Sequence, residues 1–118
     1  MSKVIAVDFD GVIYPGEYLA ETALPMGPQV GALAFVEELR SNGYQVVIHS
    51  ARADGDEGRE AIQAWLLLHG FGSPYVTARK PRGAKVYLDD RALRFEGRWP
   101  SIGEIEDAAR PWNARRDA

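Results

Sequence analysis

The run Val4-Ile5-Ala6-Val7-Asp8-Phe9-Asp10-Gly11-Val12 leads an apolar stretch into two carboxylates spaced two apart, and then into a glycine. A continuous apolar run of this length reads as a buried parallel strand. Alternation along a strand puts residues two apart on the same side, so Asp8 and Asp10 crowd together at its carboxyl end. Two neighbouring carboxylates resist ionising together unless a cation offsets them. The spacing therefore suits a metal site, a proton-transfer pair, or both. Asp-x-Asp also caps helices and decorates turns, and the pair alone leaves these readings open.

Partners for the pair lie further along the chain. They are Ser50 in His49-Ser50-Ala51-Arg52, Lys80 in Arg79-Lys80-Pro81, and Asp89-Asp90 in Val86-Tyr87-Leu88-Asp89-Asp90-Arg91. The elements that must position them follow from periodicity and punctuation. Residues 3–9 read as the first strand, and 11–26 as a loop rich in Gly and Pro. A helix is expected from near Pro28, which suits a first helical position. Its apolar face uses Val30, Leu33, Ala34, Val36 and Leu39, and Asn42-Gly43 ends it. A second strand covers 44–49, a polar loop 50–56, and a second helix 57–69, with Ala61, Ile62, Trp65 and Leu66 buried and Gly70 as the stop. Short strands follow at 75–78 and 85–89. Ser101 and Glu104 have capping-box spacing, so a last helix runs to about Arg110, before a frayed tail at 111–118.

Alternation of strands and helices implies an α/β domain with a mainly parallel sheet. The expected architecture is a Rossmann-like three-layer sandwich over residues 1–110, with the first strand central, the second and third to one side and the fourth to the other. Such sheets take ligands outside the carboxyl ends of their strands. Ser50, Lys80 and Asp89-Asp90 each follow or end a strand on this map.

This order of motifs, Asp8-Phe9-Asp10-Gly11-Val12, then Ser50, Lys80 and Asp89-Asp90, resembles the haloacid dehalogenase-like (HAD) superfamily of phosphohydrolases. The resemblance covers residues 3 to about 95. It implies that Asp8 is a nucleophile forming an aspartyl-phosphate, and that Asp10 protonates the leaving oxygen and then takes a proton from water. It also implies a Mg²⁺ ion held by Asp8, Asp10 and Asp90, with Asp89 nearby. Ser50 would hydrogen-bond a phosphoryl oxygen, and Lys80 would supply a point charge to the phosphate and Asp8. Lys85 is the alternative lysine, although it begins a strand and so points away from the site. Gly11, Arg52 and Arg91 are candidate substrate-binding positions, with Arg94 and Arg98 as further candidates for a second anionic group. Tyr14, Glu17 and Tyr18 border the site and either contact a leaving group or pack the loop, packing being the favoured reading. Residues 11–26 and the connection after the third strand are too short for an inserted cap domain, so the chain reads as a minimal, capless member. One feature departs from the family: only a few residues link Lys80 to Asp89, where most members carry a helix.

At 118 residues and 46% hydrophobic content the chain can bury a core of its own. Its net charge of -3 argues against binding nucleic acid non-specifically through overall charge. A local run of Arg79, Lys80, Arg82, Lys85, Arg91, Arg94 and Arg98 could still form an anion-attracting rim. Without cysteine there are no disulfides or thiolate zinc sites. No apolar stretch spans a bilayer and no signal peptide is visible, so a cytoplasmic protein is expected. Trp99 is expected to pack in the core. The implied partner is a phosphorylated small molecule or polymer end, such as a nucleotide, polynucleotide-end or sugar phosphate. A homo-oligomer is an alternative way to close an uncapped site. The competing functional readings are a phospho-accepting receiver, whose acidic pair and acceptor come in a different order, and a metal-binding module without catalysis.

Overall fold

A computed structural model describes residues 3–16 and 23–112. Its elements are β1 (Lys3–Asp8), α1 (Ala32–Ser41), β2 (Tyr44–His49), α2 (Asp56–Leu68), β3 (Tyr75–Thr77), β4 (Val86–Leu88) and α3 (Ile102–Ala108). A 3-10 turn over Ala51–Asp54 joins β2 to α2. The chain divides into two compact units, Met1–Leu88 and Asp89–Ala118. The expectations for Glu17, Tyr18 and residues 113–118 lie outside the described residues. Among the described residues, no helix is long and apolar enough to cross a membrane.

The first unit is an α/β layer built on a four-stranded, all-parallel sheet in the order β3-β2-β1-β4. β1 is internal, as its apolar run requires. Register couples Ile5 to Val46, Val7 to Ile48, and Ile48 to Val76, so these side chains share one face. Val36 of α1 and Ile62, Trp65 and Leu66 of α2 close over that face in one buried cluster with Phe9. Fully burying a Leu or Ile side chain stabilises by about 1.5–3 kcal/mol. That packing, more than intrinsic propensity, holds helices of this length.

The other face carries Ala6 beside Val47 and Tyr75, and then, at the carboxyl edge, the row Asp8, His49 and Thr77. Tyr87 pairs with Ala6 and so lies on this face too. Its hydroxyl donates to the Pro81 carbonyl at 2.8 Å, which fixes the β3–β4 connection over the same face. A right-handed crossover requires that placement. The short connection is physically sufficient. β3 and β4 lie three strand spacings apart in the sheet order, about 14 Å, and residues 79–84 reach about 20 Å when extended. Both strands are short, so the chain has little distance to return along the strand axis.

The start of α1 differs from the sequence expectation. The helix begins at Ala32, not near Pro28. Gly31 takes φ 85, a left-handed conformation that interrupts a helix. The Gln29 N–H donates to the Ile13 carbonyl at 2.8 Å, so residues 28–30 form a strap tied to the loop after β1. Val30 is therefore 93% exposed and does not join the apolar face. Ala34 also faces solvent, while Leu33 and Leu39 pack against the core as expected.

In the second unit α3 opens with the expected capping box. The Ser101 hydroxyl accepts the Glu104 N–H at 3.1 Å, and the Glu104 carboxylate accepts the Ser101 N–H at 3.0 Å. Arg98 donates two further bonds to that carboxylate, at 3.1 and 2.9 Å. Trp99, expected in the core, is 82% exposed and rests against Phe95, with ring centroids 4.9 Å apart. No described residue of this unit is buried, so its segment offers the indole no interior.

Leu66 is fully buried between α2 and the sheet. Leu66→Ala should cost about 2–5 kcal/mol, read as a lower midpoint in urea unfolding. Glu104 gives a pH prediction. Its carboxyl is lowered from 4.5 to about 2, first by the Arg98 hydrogen bond and then by those from Ser101. A depressed carboxyl pKa adds stability that is full above the unfolded value and is lost as pH falls through the folded one. An NMR titration of the Ser101 amide should therefore show its midpoint near pH 2, and Glu104→Gln should abolish the transition.

Candidate active site

β1 ends in a turn that keeps both aspartates at the sheet edge. The Phe9 N–H extends the ladder to the His49 carbonyl at 2.9 Å. The Phe9 ring enters the helix-side core, stacked on Tyr14 at 5.4 Å and edge-on to Trp65 at 5.2 Å. Gly11, at φ 82, lets the chain fold back at once, so that the Tyr14 N–H donates to the Phe9 carbonyl at 2.8 Å. Tyr14 is buried, and its hydroxyl accepts the Met26 N–H at 3.2 Å. Its role is the packing one.

Asp10 is the most tightly held of the candidate residues. Arg52 donates to its Oδ1 through Nε and Nη2, each at 2.8 Å. The Ser50 hydroxyl donates to its Oδ2 at 3.1 Å. The Arg52 and Asp10 side chains are only 5% and 10% exposed, a degree of burial that demands mutual pairing. Ser50 is itself buried and caps the 3-10 turn, accepting the Arg52 N–H at 3.1 Å. The Arg52 guanidinium also lies 5.9 Å from the centre of the Tyr14 ring, within cation–π range. A guanidinium paired in this way is a support for Asp10, whereas the sequence suggested only an anion-binding role.

Asp8 lies beside His49, whose Nδ1 is 3.7 Å from Asp8 Oδ1. Lys80 places its ammonium 5.3 Å from the centre of the Tyr87 ring, on the face that Ala6 and Asp8 share. The Lys85 N–H donates to the Val4 carbonyl at 2.8 Å, toward the amino end of β1 and away from the carboxyl edge. Of the two candidate lysines, Lys80 is the one whose ammonium lies by Tyr87, on the face that carries Asp8.

β4 pairs Leu88 with Val7, and Asp89 and Asp90 follow Leu88 directly in the chain as Asp8 follows Val7. Asp8, Asp89 and Asp90 form an acidic triad that could hold a metal ion. A set of three carboxylates, in a chain without cysteine, suits a hard, oxygen-seeking cation. Asp89 also accepts the Arg91 N–H at 2.9 Å. Of the remaining candidate arginines, Arg98 is engaged by Glu104, and Arg91 and Arg94 are exposed.

No family model, curated protein or solved structure matches this chain. The reading of the site rests on its own residues.

Sequence reasoning missed two features. One is Arg52 as the partner of Asp10, a contact across 42 positions for which the only local signal is an arginine two residues after Ser50. The other is Gly58, which lies against the Arg52 backbone.

Ser50→Ala would leave the Arg52 N–H and one Asp10 oxygen without a partner in a buried setting. The expected loss is about 1–3 kcal/mol of stability in urea unfolding. Ser50→Thr, which keeps the hydroxyl, should recover most of it.

Proposed function

We propose that this chain is a Mg²⁺-dependent phosphomonoesterase of the HAD-like type, with a capless, Rossmann-like catalytic domain. The observation that supports this most is convergence at one sheet edge. Asp8, Ser50 and Asp89-Asp90 follow or end three adjacent parallel strands, the edge at which such sheets take ligands. The motif order of the HAD-like superfamily adds to this support.

On this reading an Asp8 carboxylate oxygen attacks phosphorus in line with the ester oxygen. The bond from Asp8 to phosphorus forms as the bond to the leaving oxygen breaks, and Asp10 gives that oxygen its proton. Asp10 then takes a proton from water, which attacks phosphorus, releases inorganic phosphate and restores the Asp8 carboxylate. Ser50 and Lys80 offer a hydroxyl donor and a positive charge to the phosphoryl oxygens. Asp8, Asp90 and the Asp10 carbonyl would hold the ion, with Asp89 beside them. When bound, Mg²⁺ supplies charge neutralisation on the phosphoryl group. The substrate class is a phosphate monoester on a nucleotide, polynucleotide end or sugar. An uncapped edge suits a phosphate on a bulky group.

Wild type and Asp8→Asn should be assayed on a panel of such monoesters, with Mg²⁺ and with chelator. Wild type should release phosphate only with the metal, and Asp8→Asn should lose more than about 1,000-fold in kcat. An active Asp8→Asn protein, or release that ignores the chelator, would sink the proposal.

A further inference from the structure

Gly58 is the third residue of α2. A Cβ built on it would lie 1.9 Å from the carbonyl oxygen of Arg52 and 2.9 Å from its carbonyl carbon. Both are backbone atoms, so no side-chain rotation can relieve the overlap. One of the two backbones must move by about 1.5 Å to restore the 3.4 Å of ordinary contact. α2 is held from below by Ile62, Trp65 and Leu66, all in the core. The other side of the contact is the 3-10 turn Ala51–Asp54, so a Cβ here disturbs the packing of that turn on α2 whichever backbone moves.

That turn carries the groups that hold Asp10. Arg52 lies within it, and Ser50 caps it. Together they supply the three hydrogen bonds from Nε, Nη2 and Oγ to the Asp10 carboxylate. Alanine is a better helix former than glycine, so local helix energetics favour alanine at this position. The close approach to Arg52 is what excludes it. Gly55, three residues earlier, has nothing within 4 Å of its built Cβ.

We infer that Gly58 is a positioning residue, because its missing side chain lets α2 seat the Arg52 backbone so that Arg52 and Ser50 aim the Asp10 carboxylate. The inference rests on the phosphomonoesterase reading for the role of Asp10, while the seat itself is a matter of geometry. A proton donor matters most when the leaving oxygen is strongly basic. An alkyl phosphate needs the proton, whereas a p-nitrophenyl phosphate leaves nearly unaided. A displaced Asp10 must therefore slow cleavage of the two esters unequally, an asymmetry read in kcat/KM because breakdown of the Asp8-phosphate is common to both, and one that a general loss of folded protein cannot produce.

The test compares wild type, Gly58→Ala, Gly55→Ala and Arg52→Lys on glycerol phosphate and p-nitrophenyl phosphate. Circular dichroism checks the fold of each. Gly58→Ala should lose about 100-fold in kcat/KM on the alkyl ester, the scale of a 1 Å misplacement, and less than tenfold on the aryl ester. Arg52→Lys should show the same asymmetry, and the double variant should lose no more than the worse single one. Gly55→Ala should match wild type. Equal losses of kcat/KM on both esters, or wild-type behaviour of Gly58→Ala, would overturn the inference. If Gly58→Ala does not fold, Arg52→Lys decides by the same ratio. A second readout is independent of turnover. The Arg52 Nε–H proton should be a distinct, slowly exchanging NMR signal in wild type and Gly55→Ala, and should be lost in Gly58→Ala. If wild type hydrolyses neither ester, the seat is judged on that signal alone: retention in Gly58→Ala refutes it.

Discussion

The pairing of Asp10 with Arg52 is the interaction around which the carboxyl edge of the sheet is arranged. Both side chains are almost completely withdrawn from water, and a charge in that setting is tolerable only with its partner in good geometry. Two parallel bonds to one oxygen and a hydroxyl on the other meet that condition. Each neighbour then follows. Ser50 must cap the turn that carries Arg52, Tyr14 must form the aromatic wall beside the guanidinium, and the turn must lie close to α2. Among the described residues, no buried side-chain nitrogen or oxygen lacks a hydrogen-bond partner, so the arrangement leaves no unmet polar cost.

The sheet beneath it is economical. Two helices cover one face, and the return from β3 to β4 covers part of the other with a short extended segment. Small side chains make this workable. Ala6 and Val47 are buried on that face, and Tyr87, itself partly open to solvent, is bonded to Pro81 and lies beside Lys80. A helix in this position would need more chain than the connection has. The departure from the usual pattern of the family that the motifs resemble is therefore compensated locally. The same compensation holds Lys80 on the face that carries Asp8.

Much of this was legible in the sequence, for reasons specific to each element. β1 and β2 are continuous apolar runs ending in polar residues, and the position of β1 inside the sheet follows from that. α2 shows its buried face at helical spacing, and the Ser101–Glu104 box announces α3. The start of α1 was not legible. Pro28 is a good local signal, and it is outweighed by a non-local bond from Gln29 to Ile13 and by the torsion of Gly31. Trp99 reads as a core residue by type, and only the lack of an interior in its segment leaves it exposed. In the site, the residue types were readable, but the Arg52–Asp10 pairing was not, because nothing local ties residues 42 apart. Gly58 reads as a weak point in a helix until its neighbour is known.

The hydrogen bonds also constrain how Asp10 could work under the phosphoryl-transfer reading. Oδ1 takes both guanidinium nitrogens, and an oxygen so engaged is a poor place for a proton. Oδ2 takes only the Ser50 hydroxyl, so Oδ2 is the oxygen that would carry the transferable proton. A serine hydroxyl has one hydrogen and two lone pairs. The Arg52 N–H occupies one lone pair, and with Asp10 ionised the hydrogen points to Oδ2. On that reading a proton on Oδ2 would release that hydrogen, and the Ser50 hydroxyl would be free to turn to a phosphoryl oxygen. The proton on Asp10 and the donor for the phosphate would then become available together, through a single hydroxyl rotation, with the Arg52 pair keeping the carboxyl plane fixed throughout.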